Sequence, residues 1–183
     1  LVVVFFFKDT ATTEMYTLAL HEALPGSPGV CGVNGVAAGA GANLARDWDI
    51  VIAAHSARFV RSFSRVGLVP DTGGSWWLPR RVGQARAAGL AMLAEPIDAE
   101  TAESWGLIWR CVDDNELAEV CRQTIATLLQ RAPLALAAIK QALDVAPSNT
   151  LDAQLDMERD LQQRLGKSHD YREGVAAFME KRD

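Results

Sequence analysis

Residues 33–60, VNGVAAGAGANLARDWDIVIAAHSARFV, decide the fold class. Asn34-Gly35 is a turn pair that closes a short apolar strand, GVCGV, at 29–33. The run from Val36 to Asp47 begins with small residues and can start a helix. DIVIAA at 49–54 is apolar without alternation, as a buried strand is, and ARFV at 57–60 is a candidate second short strand. Strand, small-residue helix and buried strand in succession imply an α/β arrangement.

The small residues carry a second implication. Ala37, Ala38, Gly39, Ala40, Gly41 and Ala42 keep side chains out of the way where the helix would begin, so a ligand can approach the backbone. Free N–H groups and the positive end of a helix dipole favour an anion there, or an oxygen that becomes anionic in a transition state. Close packing of a helix on a sheet selects the same small residues, and both readings stay open. A dinucleotide fingerprint fits badly, because the place of its third glycine after Gly39 and Gly41 holds Leu44.

Downstream, GLVPDTGG at 67–74 sets one acid, Asp71, between a proline and a glycine pair. Pro70-Asp71-Thr72-Gly73 is an ordinary turn sequence, and Asp71 is also a suitable cap for the helix that GGSWWL can begin. The other reading is a catalytic acid or base aimed into a pocket. Helices are expected over SWWLPRRVG and QARAAGLAMLA, then over DAETAESWG (98–106), which opens on an Asp cap and closes at Gly. LIWRCV (107–112) reads as a strand. Beyond Asp113 the chain reads as helix throughout: DNELAEVCRQTIATLLQR, LALAAIKQALDVA with Pro133 in its first turn, TLDAQLDMERDLQQRL and DYREGVAAFMEKR.

Three or four short strands cannot form a covered sheet alone, so residues 28–183 read as the rear part of one α/β domain, with a core at 28–112 and a helical C-terminal region at 113–183. KDTATTEMYTLALHEALPG (8–26) has neither a sustained apolar period nor turn logic joining it to the strand at 29–33. It is similar to the conceptual translation of a sequencing adapter. Residues 1–27 are therefore expected to be a non-native segment standing where the chain's own N-terminal part belongs; a strand followed by a short helix is the alternative.

The chain has 183 residues, 49% of them hydrophobic, which suits one domain with a real core. A formal charge of −5 gives no basic surface for nucleic acid or anionic membrane, and LVVVFFF (1–7) falls far short of the roughly 20 residues of a bilayer span. Cys31, Cys111 and Cys121 show no CxxC spacing, and His21, His55 and His169 are scattered. A reduced, cytoplasmic, metal-free protein with a small ligand is expected. Trp76, Trp77, Trp105 and Trp109 can wall an aromatic pocket or fill core, while Arg80, Arg81 and Arg86 read as a solvated helix face. Phe178 and Lys181, three apart, should lie side by side on a helix.

VNGVAAGAGANLARDWDIVIAAHSARFVRSFSRVGLVPDTGGSWWLPRRVG together with AESWGLIWRCVDD resembles the crotonase (enoyl-CoA hydratase/isomerase) superfamily, over about residues 28–183. Within it the resemblance is strongest to the ring-epoxide isomerase branch that serves phenylacetate degradation, including the ending LDMERDLQQRLGKSHDYREGVAAFMEKR. The resemblance implies a stacked ββα spiral, here incomplete, followed by C-terminal helices that assemble a homotrimer or a dimer of trimers. It implies an acyl-CoA substrate, no separate cofactor and no metal. The thioester oxygen would be held by two backbone N–H groups, one at Ala40, with Gly39 and Gly41 beside it; the other belongs to a segment this chain lacks. Hydratases of the family carry glutamates at the places of Asn43 and Phe63, neither of which moves a proton as a carboxylate does. In the isomerase branch one acid does the work, and it maps onto Asp71. Lys181 would reach the CoA phosphate, with Phe178 beside the nucleotide. The implied chemistry is the shift of a 3-enoyl-CoA double bond to the 2-position and rearrangement of the ring epoxide of phenylacetyl-CoA to the oxepin form. Rival expectations are an enoyl-CoA hydratase, a dehalogenase with a nucleophilic acid near Asp71, a non-catalytic acyl-CoA-binding protein and an inactive fragment.

Overall fold

A computed structural model describes residues 3–7, 26–38 and 48–182. The expected α/β class is observed. Four strands, β1 (Val3–Phe7), β2 (Gly29–Val33), β4 (Ile50–Ala54) and β7 (Arg110–Val112), form a parallel sheet in the order β1-β2-β4-β7. A second sheet has the order β3-β5-β6, from β3 (Val36–Ala38), β5 (Arg58–Val60) and β6 (Ile97–Asp98). The helices are α1 (Gly74–Val82), α2 (Gln84–Leu93), α3 (Ala99–Ser104), α4 (Leu117–Leu129), α5 (Pro133–Val145), α6 (Leu151–Leu165) and α7 (His169–Glu180), with a 3₁₀ helix at Ser62–Val66.

The two sheets are built by repetition. Asn34-Gly35 carries the chain from β2 in the first sheet to β3 in the second, and His55-Ser56 does the same from β4 to β5. β4 lies parallel beside β2, from Val30↔Ile50 to Val33↔Ala53, and β5 lies parallel beside β3, from Val36↔Arg58 to Ala38↔Val60. Each strand pair is thus laid on the previous one, and the Arg58 N–H donates to the Gly35 carbonyl at 3.1 Å where one turn crosses the next. Val30 and Ile52 are fully buried, as their apolar runs require, and Val33, Val51, Phe59, Leu78, Leu90 and Leu107 share one core.

Two expectations need correcting. The run read as a helix start from Val36 instead opens as strand β3, because Ala37 is buried where it pairs with Phe59. LIWRCV contributes only Arg110–Val112 as strand, because the N–H groups of Leu107 and Ile108 both turn back to the Ala102 carbonyl, at 2.9 and 3.4 Å, and wrap the chain around the end of α3. The caps fare better. Asp98 receives the Thr101 N–H at 2.8 Å, and Pro133 stands in the first turn of α5.

The described residues form two compact units, one of β1 with those between 29 and 126, the other of 26–28 with 127–182. Val3–Phe7, expected to be non-native, pairs with β2 along its length. Among the described residues no helix is long and apolar enough to cross a membrane.

The start of β2 has little room. The Gly29 N–H donates to Asp49 Oδ2 at 2.7 Å, and a Cβ on Gly29 would stand 2.6 Å from the buried Trp48 ring. Gly29→Ala should therefore destabilise the first unit by about 1–3 kcal/mol, the ordinary cost of overpacking. A lower urea midpoint at unchanged denaturant slope is the expected reading.

Candidate active site

The segment that carries Asp71 leaves β5 through the 3₁₀ helix at Ser62–Val66. Its first side chains are buried: Arg61 is 5% exposed and Phe63 9%. Burial pulls the Arg61 guanidinium down to about 10, so it stays a cation at neutral pH. Phe63 thus puts an apolar ring, not an acid, on the protein side of this segment.

Two hydrogen bonds tie the 3₁₀ helix to the end of α2. Ser64 Oγ donates to the Met92 carbonyl at 3.1 Å, and Arg65 Nη2 donates to the Ala94 carbonyl at 2.8 Å. Ala94 caps α2 in the left-handed region, which leaves its carbonyl available to Arg65. Gly67 ends the 3₁₀ helix at φ 76°, and the Leu68 N–H returns to the Phe63 carbonyl at 3.0 Å. From there the chain runs outward. Val66, Leu68 and Val69 are 63–78% exposed, an apolar rim leading directly to the Pro70-Asp71 turn.

Asp71 is exposed and its carbonyl accepts the Gly74 N–H at 2.7 Å, closing the turn that opens α1. The cap position itself falls to Gly73, at φ 76°, so the expectation that Asp71 occupies it is corrected. The chain needs a left-handed residue there, which glycine supplies at no steric cost. Thr72 also stands at positive φ, 45°, and its hydroxyl lies 3.4 Å from Asp71 Oδ1. Nothing in the sequence signals this, since a β-branched residue argues against the left-handed region.

The four tryptophans do not form one wall. Trp76 and Trp77 meet edge to face at 4.3 Å between centroids, Trp105 packs partly against the core, and Trp109 is largely exposed. The arginines are more than a solvated face: Arg80 lies 3.6 Å over Trp76 and donates to its carbonyl at 2.8 Å, and Arg86 lies 5.0 Å over Trp105. All three cysteines are unbridged, and burial raises each thiol, so none is poised as a nucleophile.

The other sequence-derived candidates fall elsewhere. Gly39, Ala40, Gly41 and Asn43 lie outside the described residues. Phe178 is 81% exposed on α7, in the second unit. Lys181 is the C-terminal cap of α7, at φ 54°, and not part of the helix, which ends at Glu180; its N–H donates to the Phe178 carbonyl at 3.3 Å. The second unit also holds open grooves of 380 and 360 Å³, the first with Lys140, Gln141, Asp144 and Arg164 on its walls, the second between α5 and α6. No residue singled out from the sequence lines either.

Residues 9–183 match the family model described as enoyl-CoA hydratase/isomerase. The chain is 56% identical, over 85% of its length, to the 1,2-epoxyphenylacetyl-CoA isomerase of Escherichia coli K12, covering 59% of that protein. It is 54% identical over 85% of its length to the protein named "probable enoyl-CoA hydratase" of Rhodobacter capsulatus, covering 60% of it. Among solved structures, an enoyl-CoA hydratase from Polaromonas sp. JS666 superposes with a TM-score of 0.84 at 38% identity, over 96% of this chain and 70% of that one. The chain spans about three fifths of the length of these two curated relatives.

Proposed function

Because the chain belongs to the enoyl-CoA hydratase/isomerase family, we propose that it acts on acyl-CoA thioesters as an isomerase, with Asp71 as the proton carrier. The observation that carries the reading is the placement of Asp71: an exposed carboxylate on a strained turn, at the end of an apolar rim, on a segment anchored to α2. The 56%-identical relative, named for the isomerisation of epoxyphenylacetyl-CoA, supports the same reaction class.

In this reading the thioester carbonyl takes up charge as a proton leaves the adjacent carbon, and the Ala40 N–H donates to the resulting enolate oxygen. One such donor is typically worth roughly 3 kcal/mol in the transition state. Gly39 and Gly41 let the thioester approach the backbone. Asp71 removes the proton from C2 of a 3-enoyl-CoA and returns it at C4, leaving the double bond at the 2-position. With the ring epoxide of phenylacetyl-CoA as substrate, Asp71 assists expansion to the oxepin. Asn43 orients substrate or an ordered water, and Phe63 lines the apolar side of the site. Phe178 and Lys181 bind the CoA portion, Lys181 through a phosphate. The reaction needs no metal or redox cofactor, and the enzyme works in the cytoplasm.

Copies of the chain assemble as a homotrimer or a dimer of trimers. In support, α6 and α7 bury none of their residues within one chain and expose Leu151, Leu155, Tyr171 and Val175. A monomeric sedimentation mass at micromolar concentration would overturn that assembly.

Hydration is the second reading, favoured by the name of the Rhodobacter relative and opposed by the apolar Phe63. Incubating the 183-residue chain with 3-hexenoyl-CoA and, separately, with 2-hexenoyl-CoA separates them. Conjugation of the first without conversion of the second to a 3-hydroxyacyl-CoA is expected. Hydration alone, or CoA-ester binding with no conversion of either, would overturn the isomerase reading.

A further inference from the structure

Three non-glycine residues among those described have positive φ: Thr72, Ala94 and Lys181. Ala94 and Lys181 terminate α2 and α7, where a left-handed residue is the ordinary way to end a helix. Thr72 ends nothing. It is β-branched, stands beside the acid assigned to the chemistry, and is followed by Gly73, also left-handed. Such outliers persist where the surroundings over-determine them, and they concentrate at functional sites. The conformation brings the Thr72 hydroxyl to 3.4 Å from Asp71 Oδ1. That distance is long for an O–H···O bond, as hydrogen bonds at active sites without substrate often are before they tighten around it.

We propose that Thr72 is a positioning residue: its hydroxyl donates to the Asp71 carboxylate and holds it in one orientation, and the strained backbone at Thr72 is retained because it delivers that hydroxyl. The proposal rests on Asp71 being the proton carrier. A residue that acts only by orienting the acid changes turnover, so its removal should alter kcat and leave KM unchanged. Held at Oδ1, the carboxylate is presented to the substrate carbon atoms in one orientation.

The test compares Thr72→Val, Thr72→Ser, Thr72→Gly and Asp71→Asn in the chain, assayed for conversion of 3-hexenoyl-CoA and for thermal midpoint. Thr72→Val should lose about tenfold in kcat with KM nearly unchanged, the loss of one hydrogen bond to a charged group. Thr72→Ser, which keeps the hydroxyl, should return kcat to within about threefold of the parent. Thr72→Gly should raise the midpoint by relieving the left-handed strain while losing kcat as Thr72→Val does. Parental kcat in Thr72→Val with an inactive Asp71→Asn would overturn the positioning role alone. A loss in Thr72→Val that Thr72→Ser does not restore would also overturn it, as would a loss carried by KM. Full activity in Asp71→Asn would overturn the proton-carrier reading and this role together.

Discussion

Asp71→Asn should lower turnover of a 3-enoyl-CoA by about 10²–10⁴-fold, the usual contribution of a positioned acid or base, while acyl-CoA affinity stays near that of the parent. The substitution is informative because it changes little else. Asparagine has the shape of aspartate and is as favourable in a turn, and the backbone hydrogen bond that opens α1 uses the Asp71 carbonyl. What is lost is the ability to take up a proton. Affinity and turnover measured together separate three outcomes. Retained binding with lost turnover supports the shuttle; unchanged turnover sinks it. Covalent attachment of substrate to Asp71 in the parent would instead make the residue a nucleophile.

The second large effect concerns stability. Ile52 is fully buried in the middle of β4, between β2 at Gly32 and β7 at Arg110. Truncation to alanine removes buried methyl and methylene groups and leaves a cavity the flanking strands cannot close without breaking their ladders. Ile52→Ala should cost about 2–5 kcal/mol, a large share of the roughly 5–15 kcal/mol that holds an ordinary domain folded. Equilibrium denaturation followed by tryptophan fluorescence would show it, since Trp48, Trp76, Trp77, Trp105 and Trp109 all lie in the first unit. A loss under about 1 kcal/mol would mean that the site relaxes and that β4 is not the packing centre.

Elements with a strong local signal were legible without coordinates. DIVIAA is apolar at every position but the first and forms β4; the four C-terminal helices carry plain periodicity, and Asp98 and Pro133 mark the starts of α3 and α5. Tertiary pairing decided the rest. β3 is three residues of small side chain, indistinguishable in sequence from a helix start until β5 lies beside it. β6 is two residues long and exists only because β5 is there to pair with. The place of Asp71 in a turn was legible from its proline and glycines. The conformation of Thr72 was not, because local preference points the other way. The end of α7 at Glu180 was not legible, because Lys181 is not a residue that marks a left-handed cap.

β5 and β6 are antiparallel neighbours, Phe59 opposite Ile97 and Arg58 opposite Asp98, so the chain departs from the second sheet and rejoins it at the same place. Everything between, including the 3₁₀ helix, the Asp71 turn, α1 and α2, is one excursion with clamped ends. A lineage could rewrite that excursion, moving or replacing its acid, without renegotiating a single strand register. The Asp71 turn and Phe63 travel together on that excursion, which also sends Leu78, Val82, Ala87 and Leu90 into the core, so its helices are held to the sheets by packing while its turn stands free of any strand register.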